Sequence, residues 1–297
     1  MKVVILGAKG MLGRDLGRVF YDLSPYLLGK DELDITDEKG TYALFHNFKP
    51  NIVINAAAYT DVDGCETNKD LAMKVNADAP GYLARVSKDV GAVFVHYSTD
   101  YVFDGGKSEG YREDEEPGNP LNFYGESKLA GENAVREAGG NYYLIRASWL
   151  FGLGGPQADG RSRNFIETML RLAQEKGARS AKSEMRRELK VVNDQHGKPT
   201  FSLDLARKTR ELVESKKDFG IYHITNEPAN TWYDFACEII KRGLAPSHGP
   251  GLNVIPCASD EFPRPAKRPK YSILLNTKLP PLRPWQEALA EYLSLRE

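Results

Sequence analysis

Lys2-Val3-Val4-Ile5-Leu6-Gly7-Ala8-Lys9-Gly10-Met11-Leu12-Gly13 opens the chain and decides how the rest of it is read. A short apolar, β-branched run closed by glycine reads as a buried strand. The glycines follow the spacing G-x-x-G-x-x-G, and a helix-like pattern runs on from them through Phe20. Strand, glycine turn and helix in that order let a backbone approach a pyrophosphate, while the free N–H groups of the helix N-terminus face the anion. A tight strand-to-helix turn without a ligand has the same glycines. Its place at the end of the first clean strand favours the phosphate reading.

Working outward, a second short strand falls at Tyr26 to Leu28 and ends in Gly29-Lys30. A dinucleotide fold that selects NADH carries an acid near this point to hold the ribose 2′-hydroxyl. Lys30, with Arg14 just past the glycine turn, instead favours a 2′-phosphate and NADPH. Asp31 pulls the other way and keeps NADH open, and Asp34 with Ile35 sits in a loop that reaches toward the adenine.

The third strand, in Pro50-Asn51-Ile52-Val53-Ile54-Asn55, runs into the small residues Ala56-Ala57-Ala58 and then Tyr59-Thr60. Small side chains at a strand's C-terminal end leave room for a ligand at the sheet crest, although close packing uses them too. Asn76, flanked by Val75 and Ala77 on the next helix, is either a structural cap or part of a polar site. Ala92 to Tyr97 repeats the pattern and ends in Ser98-Thr99-Asp100-Tyr101, and Tyr142 to Arg146 gives a further strand with Trp149 beyond its end. Strands alternating with helices at this spacing imply an α/β fold built on a parallel sheet.

Tyr124 and Lys128 stand four residues apart at the start of a helix and share one face. A phenol titrates near pH ~10 in water, so a tyrosine works as a proton carrier at neutral pH only beside positive charge, which a lysine one turn on supplies. Alone, the pair also fits a solvated helix.

Past Gly152 the character changes. Leu153 to Arg163 reads as an exposed loop, Phe165 to Leu172 as a helix, and Lys176 to Lys190 as a charged solvated segment. A helix follows from about Leu203 to Glu214. The stretch Phe262 to Pro269, with Arg264 and Arg268, either faces an anionic ligand or forms a rigid surface loop.

Composition agrees with a globular, small-molecule protein. The chain has 297 residues, 41% hydrophobic and 27% charged, with a net charge of −1. That length buries a substantial core, and that balance gives no electrostatic reason to expect nucleic acid or a membrane surface. No stretch has the apolar length of a membrane span and no cleavable signal is evident, so a cytoplasmic location is expected. Three widely spaced cysteines, Cys65, Cys237 and Cys257, suit reduced thiols better than a disulfide framework or a metal cluster. No metal site is expected.

Taken in order, the glycine turn, Asn55-Ala56-Ala57-Ala58, Ser98-Thr99-Asp100 and Tyr124-x-x-x-Lys128 resemble the extended short-chain dehydrogenase/reductases. Tyr97-Ser98-Thr99-Asp100-Tyr101-Val102-Phe103, Asn122-x-Tyr124-Gly125-x-Ser127-Lys128-x-Ala130-Gly131-Glu132, Asn193-Asp194-Gln195-x-Gly197-x-Pro199-Thr200 and Thr231-Trp232-Tyr233-Asp234-Phe235-Ala236 are similar to the dTDP-4-dehydrorhamnose reductase family, across nearly the whole chain. The resemblance implies a Rossmann-type doubly wound sheet over residues 1–150 and a smaller, mainly substrate-binding α/β domain over residues 151–297, with some chain crossing back. It implies NADPH-dependent reduction of the C4 ketone of dTDP-4-dehydro-L-rhamnose, with NADH as an occasional donor. Tyr124 would donate the proton, Lys128 would bind the nicotinamide ribose and favour the phenolate, and Thr99 would hydrogen-bond the reacting oxygen.

By motif position, Gly7, Gly10, Met11, Leu12 and Gly13 would cradle the pyrophosphate, and Ala56, Ala57, Ala58, Tyr59 and Asn76 would line the cofactor. Thr60, Val62, Thr99, Asp100, Tyr101, Trp149 and Asn164 would line the sugar-nucleotide site. Dehydratases of the superfamily follow the crest threonine with Asp-Glu, two carboxyls for water loss, whereas here Tyr101 follows Asp100, which favours reduction. Another sugar-nucleotide reductase or epimerase stays open, as does a non-catalytic NADP-binding subunit resembling that of methionine adenosyltransferase. The segments 153–163 and 176–190 exceed the family's usual length, which leaves the substrate lid and a homodimer contact open.

Overall fold

A computed structural model of the chain describes residues 1–154, 164–178, 187–215, 217–243 and 252–296. The loop expected over 153–163 and the charged segment expected over 176–190 fall largely outside these residues. The first half alternates β1 (Val3–Leu6), α1 (Met11–Val19), β2 (Tyr26–Leu28), α2 (Glu38–Phe48), β3 (Ile52–Asn55), α3 (Val62–Thr67) and α4 (Lys69–Met73). A single π-helical stretch, Lys74–Asp78, joins α4 to α5 (Ala79–Asp89), and β4 (Val93–Thr99), α6 (Phe123–Ala138) and β5 (Tyr142–Ala147) follow. The second half comprises β6 (Leu150–Phe151), α7 (Phe165–Ala178), β7 (Arg187–Val192), β8 (His196–Gly197), β9 (Thr200–Phe201) and α8 (Ser202–Glu214). It ends with β10 (Gly220–His223), β11 (Asn230–Thr231), α9 (Trp232–Gly243), β12 (Leu252–Cys257) and α10 (Trp285–Arg296).

Six strands form one parallel sheet in the order β10-β5-β4-β3-β1-β2. Successive residues of β1 point to opposite faces, as strand geometry requires. Val3 and Ile5 join Leu16 of α1 and Leu205 and Leu212 of α8 in one core layer. Val4 and Leu6 join Phe45 of α2, Leu83 of α5 and Val135 of α6 in the other. Both faces are therefore covered, which is why the strands read as continuous apolar runs rather than alternating ones. Burying each such side chain fully contributes roughly 1.5–3 kcal/mol.

The chain leaves β1 toward β2 on one side and toward β3, β4 and β5 on the other. That reversal opens a crevice at the carboxyl ends of β1 and β3, where open sheets of this kind bind ligands. The second half closes over the same edge. It also returns to the sheet: β10 pairs with β5, with Gly220 opposite Tyr143, and α8 packs on α1. A third core, with Phe151, Ile166, Phe201, Phe235, Trp285 and Tyr292, sits under α7, α9 and α10, beside the parallel pair β7–β12. Among the described residues the three cysteines are free and no helix is long and apolar enough to cross a membrane.

Candidate active site

The glycine turn is shaped for close approach. Gly7 has φ +73, in the left-handed region, and a Cβ placed on it would lie 2.6 Å from the Ala57 nitrogen at the crest of β3. A Cβ on Gly13 would overlap the Gly7 carbonyl. Any side chain at either place would push apart the strand, the turn and α1, so the cradle exists only because both are glycine. Gly10 caps α1 in an extended conformation without a side-chain cap bond, so no side chain of the capping residue occupies the first-turn N–H groups.

Beside the turn lies a cavity of about 520 Å³ lined by Gly7, Gly10, Lys30, Asp34, Ile35, Ala57 and Tyr59, among others. Its chemistry suits an adenosine with an added anionic group. Asp34 is spent on its own loop, where its carboxylate accepts from the Thr36 backbone N–H at 2.9 Å and from the Thr36 hydroxyl at 2.8 Å. Asp31 is also taken: Lys9 Nζ lies 3.0 Å from Asp31 and 2.6 Å from Glu32. Lys30 remains at the cavity wall.

A second cleft of about 460 Å³ continues from Gly10, Met11 and Leu12 past Ala56, Ala58 and Thr60 to Thr99, Asp100, Tyr124, Lys128 and Trp149. The helix bearing the pair is fixed by the residues that surround it in sequence. Asn122 caps α6 by accepting from the Gly125 N–H at 2.8 Å, and its Nδ2 donates to Lys267 O at 2.8 Å. Gly125 and Gly131 let α6 lie directly on the Tyr101 and Asn76 carbonyls, which a Cβ at either position would overlap. Ser127 donates to Tyr124 O at 2.8 Å and accepts from Asn76 Nδ2 at 3.0 Å. One turn further, Glu132 takes Arg146 of β5 in two bonds, at 2.9 and 2.7 Å, with both side chains at most 1% exposed. A two-point Arg–carboxylate clamp fixes direction as well as distance.

Lys128 is buried and donates to the Tyr97 carbonyl at 2.6 Å, with His96 Nε2 at 3.5 Å. Burial lowers its pKa to about 8, against the pull of Glu132. His96, buried next to that cation, is held well below its ordinary value and stays neutral. Burial pushes the Tyr124 phenol up, the Asp100 charge adds to this and a Thr99 hydrogen bond opposes it. The phenol therefore holds its proton in this environment, as a donor must. Burial also raises Asp100 to about 7, against the pull of the nearby Ser272 and Thr99 hydroxyls.

Adjoining this cleft is a third cavity, about 410 Å³, lined by Tyr101, Phe165, Val191, Trp232, Arg264 and Arg268, among others. The two meet at neighbouring walls. Asp100 faces one and Tyr101 the other, and Trp149 of the first stacks on Trp232 of the second with ring centroids 3.7 Å apart. Arg264 and Arg268 reach Asp63 at the start of α3, at 3.6 and 3.1 Å. Both arginines also line this cavity.

The residues singled out in sequence divide accordingly. Gly7, Gly10, Met11, Leu12, Lys30, Asp34, Ile35, Ala56, Ala57, Ala58, Tyr59, Thr60, Thr99, Asp100, Tyr101, Tyr124, Lys128 and Trp149 all line one or another of the three cavities. Gly13, Arg14, Val62, Asn76 and Asn164 do not line them. Gly13 acts through the packing of the turn. Asn76 spends its amide on the Tyr59 N–H at 2.9 Å, the Tyr59 carbonyl at 3.0 Å and Ser127, so it buckles the β3 crest to α6. Asn164 caps α7, accepting from the Glu167 N–H at 2.9 Å and donating to Gly152 O at 2.8 Å. Sequence reasoning missed Lys9 as the partner of Asp31, and Asp63 as the anchor of the two arginines. Lys9 sits within the glycine motif, yet nothing in its spacing reveals the ion pair.

Comparisons with known proteins agree with one another. The family model described as RmlD substrate binding domain matches residues 1–296. The dTDP-4-dehydrorhamnose reductase of Burkholderia thailandensis is 39% identical over 291 residues, covering 94% of this chain and 92% of that one. A crystal structure of the dTDP-4-dehydrorhamnose reductase from Clostridium acetobutylicum superposes with a TM-score of 0.87 at 40% identity, covering 100% of this chain and 99% of that one. One from Bacillus anthracis, in complex with NADP, gives 0.87 at 36% identity and covers 99% of both chains.

Proposed function

The chain belongs to the RmlD family with the dTDP-4-dehydrorhamnose reductases, and from that premise we propose that it reduces the C4 ketone of dTDP-4-dehydro-L-rhamnose to dTDP-L-rhamnose with NADPH. The observation that carries this reading is the meeting of Thr99, Tyr124 and Lys128 in a cleft that runs on from the glycine turn. NADPH, when bound, supplies the hydride. The chain's own residues do the rest.

The Gly7–Gly13 turn and the N-terminus of α1 receive the pyrophosphate. Lys30 is the cation at the cavity wall placed for a ribose 2′-phosphate, while Asp31 is drawn into an exposed ion pair with Lys9. Lys128, charged below about pH 8, holds the nicotinamide ribose and sets the potential in which Tyr124 gives up its proton. Tyr124 donates that proton to the ketone oxygen as carbon is reduced, and Thr99 hydrogen-bonds the same oxygen. Trp149 and Trp232 form an apolar wall for the nucleotide sugar, and Arg264 and Arg268 are placed for its diphosphate. Asp100 is followed by Tyr101, so the crest lacks the second carboxyl that water elimination uses.

The test is to mix the protein with dTDP-4-dehydro-L-rhamnose and NADPH, follow nicotinamide absorbance and identify the product, then repeat with NADH. Stoichiometric formation of dTDP-L-rhamnose, faster with NADPH, supports the reading. Reduction of other 4-keto sugar nucleotides but not of this one would remove the substrate assignment.

A further inference from the structure

Among the described residues, Asp100 is the one carboxyl lining the catalytic cleft, and the donor of a proton does not require it. It is 2% exposed. Its Oδ1 lies 2.9 Å from Thr99 Oγ1, while among the described residues no donor meets its Oδ2 in hydrogen-bond geometry, the nearby Ser272 hydroxyl only pulling the carboxyl down against burial. The Ser272 hydroxyl, which faces the carboxyl, is within reach of the His196 carbonyl at 3.4 Å. A buried carboxylate with an orphaned oxygen is costly, and a buried carboxylic acid much less so.

The count of hydrogens at Thr99 gives this a consequence. A threonine hydroxyl has one hydrogen and two acceptor sites. One acceptor site is filled by the Tyr101 N–H at 3.2 Å. If Asp100 is ionised, the Thr99 hydrogen points to Asp100, and Thr99 has nothing to donate to a substrate oxygen. If Asp100 is protonated on Oδ1, that acid donates to the second acceptor site and the Thr99 hydrogen is free.

Resting on the reductase reading above, we propose that Asp100 acts as a neutral acid that turns the Thr99 hydroxyl toward the reacting ketone oxygen. Asp100 is thus a positioning residue: its charge state sets whether the ketone receives two hydrogen bonds or one. Among the described residues, Tyr101 shares its turn, Tyr124 and Lys128 line the cleft from α6, Ser272 comes close from the C-terminal half, and the Arg268 charge, paired with Asp63 at 3.1 Å, acts on neighbouring Tyr101. Lys128 is the nearby cation that also lines the cleft, and burial lowers its own titration to about 8. Burial is the largest influence on Asp100 and places its own midpoint at about 7.

The experiment has two readouts on the full chain saturated with NADP or NADPH. The first is infrared difference spectroscopy between the wild type and Asp100→Asn, titrated with pH. A carboxylic-acid carbonyl band that is absent from D100N and disappears with a midpoint near 7 is expected. This readout needs no substrate, so it stands even if dTDP-4-dehydro-L-rhamnose is not reduced, and the two failures are told apart. The second is the pH profile of kcat/KM. The wild type should fall about tenfold per pH unit above neutrality. In D100N the carboxamide donates at every pH, so the fall should move up toward the Lys128 limit near 8. Asp100→Ala should lose about 10-fold to 100-fold in kcat with NADPH binding unchanged, and D100N should recover most of that loss below neutrality. Absence of the acid band, or a D100N profile that falls where the wild type does, would overturn the proposal.

Discussion

Glu132 on α6 grips Arg146 on β5 through two hydrogen bonds, at 2.9 and 2.7 Å, with both side chains out of solvent. Lys128 lies one turn before Glu132 and Tyr124 one turn before that, so the clamp fixes the reach of the catalytic helix over the crest of β4. His223 of β10 lies 3.3 Å from Arg146 Nη1, which extends the network to the edge strand supplied by the second half. Burial and the Arg146 charge hold that imidazole down to about 3, so it is neutral at working pH.

Removing one partner leaves an uncompensated buried charge, which costs about 3–5 kcal/mol. Glu132→Ala should therefore lower stability by roughly that amount in denaturant unfolding, and should lower kcat in the fraction that stays folded. Breaking an exposed pair such as Arg112 with Asp114 should leave the unfolding midpoint nearly unchanged in the same assay.

Lys128 links the site to the pH dependence of stability. Its folded value of about 8 lies below the ordinary 10.5, so the folded state binds fewer protons than the unfolded state between those values. Stability therefore rises with pH across that window, and the burial penalty is fully present below about 8. A shift of this size corresponds to roughly 3 kcal/mol, and the lost hydrogen bond to Tyr97 O offsets about 1 of it. Lys128→Met should be more stable than the wild type at pH 7 by about 1–2 kcal/mol while losing most turnover. Thermal unfolding at pH 7 and pH 10 should show that advantage shrinking at the higher pH.

Much of this was legible in sequence because the fold and the catalytic motifs are local. A strand, a glycine turn and a helix lie within twenty residues of one another, and Tyr124 and Lys128 sit on one turn. The sheet, the crest residues and the cleft they line follow from such local patterns. Contacts between distant segments were not legible. Asp31 reads as an NADH signal until Lys9, from a different loop, is seen beside it. Asn76 and Asn164 read as site residues because a polar side chain near a crest fits either role; only the Tyr59 and Gly152 partners show that each holds backbone in place. The pairing of Arg264 and Arg268 with Asp63 spans about two hundred residues and leaves no spacing to detect.

Cofactor preference should follow Lys30. A charge-assisted bond to a 2′-phosphate is worth about 1.5–3 kcal/mol. Lys30→Ala should weaken NADPH by about 10-fold to 100-fold in a fluorescence titration and leave NADH nearly unchanged. Equal losses for both cofactors would mean that Lys30 shapes the cavity rather than reading the phosphate.

The arginines should act on the sugar nucleotide alone. Arg268→Gln should raise KM for dTDP-4-dehydro-L-rhamnose by about tenfold or more, leaving the dissociation constant of NADPH unchanged. Asp63→Asn, which frees both guanidinium groups, should not reproduce that rise in KM. Initial rates over a matrix of both substrates check the two variants together.

The account turns on Tyr124 as the proton donor to the ketone, and the direct measurement is single-turnover hydride transfer by Tyr124→Phe beside its affinity for NADPH. The phenyl ring keeps the packing against Tyr101, whose ring centroid lies 6.0 Å away, and removes only the hydroxyl. Transfer slower by about 10²-fold to 10⁴-fold with NADPH binding intact is the expected result. Transfer at the wild-type rate would contradict it.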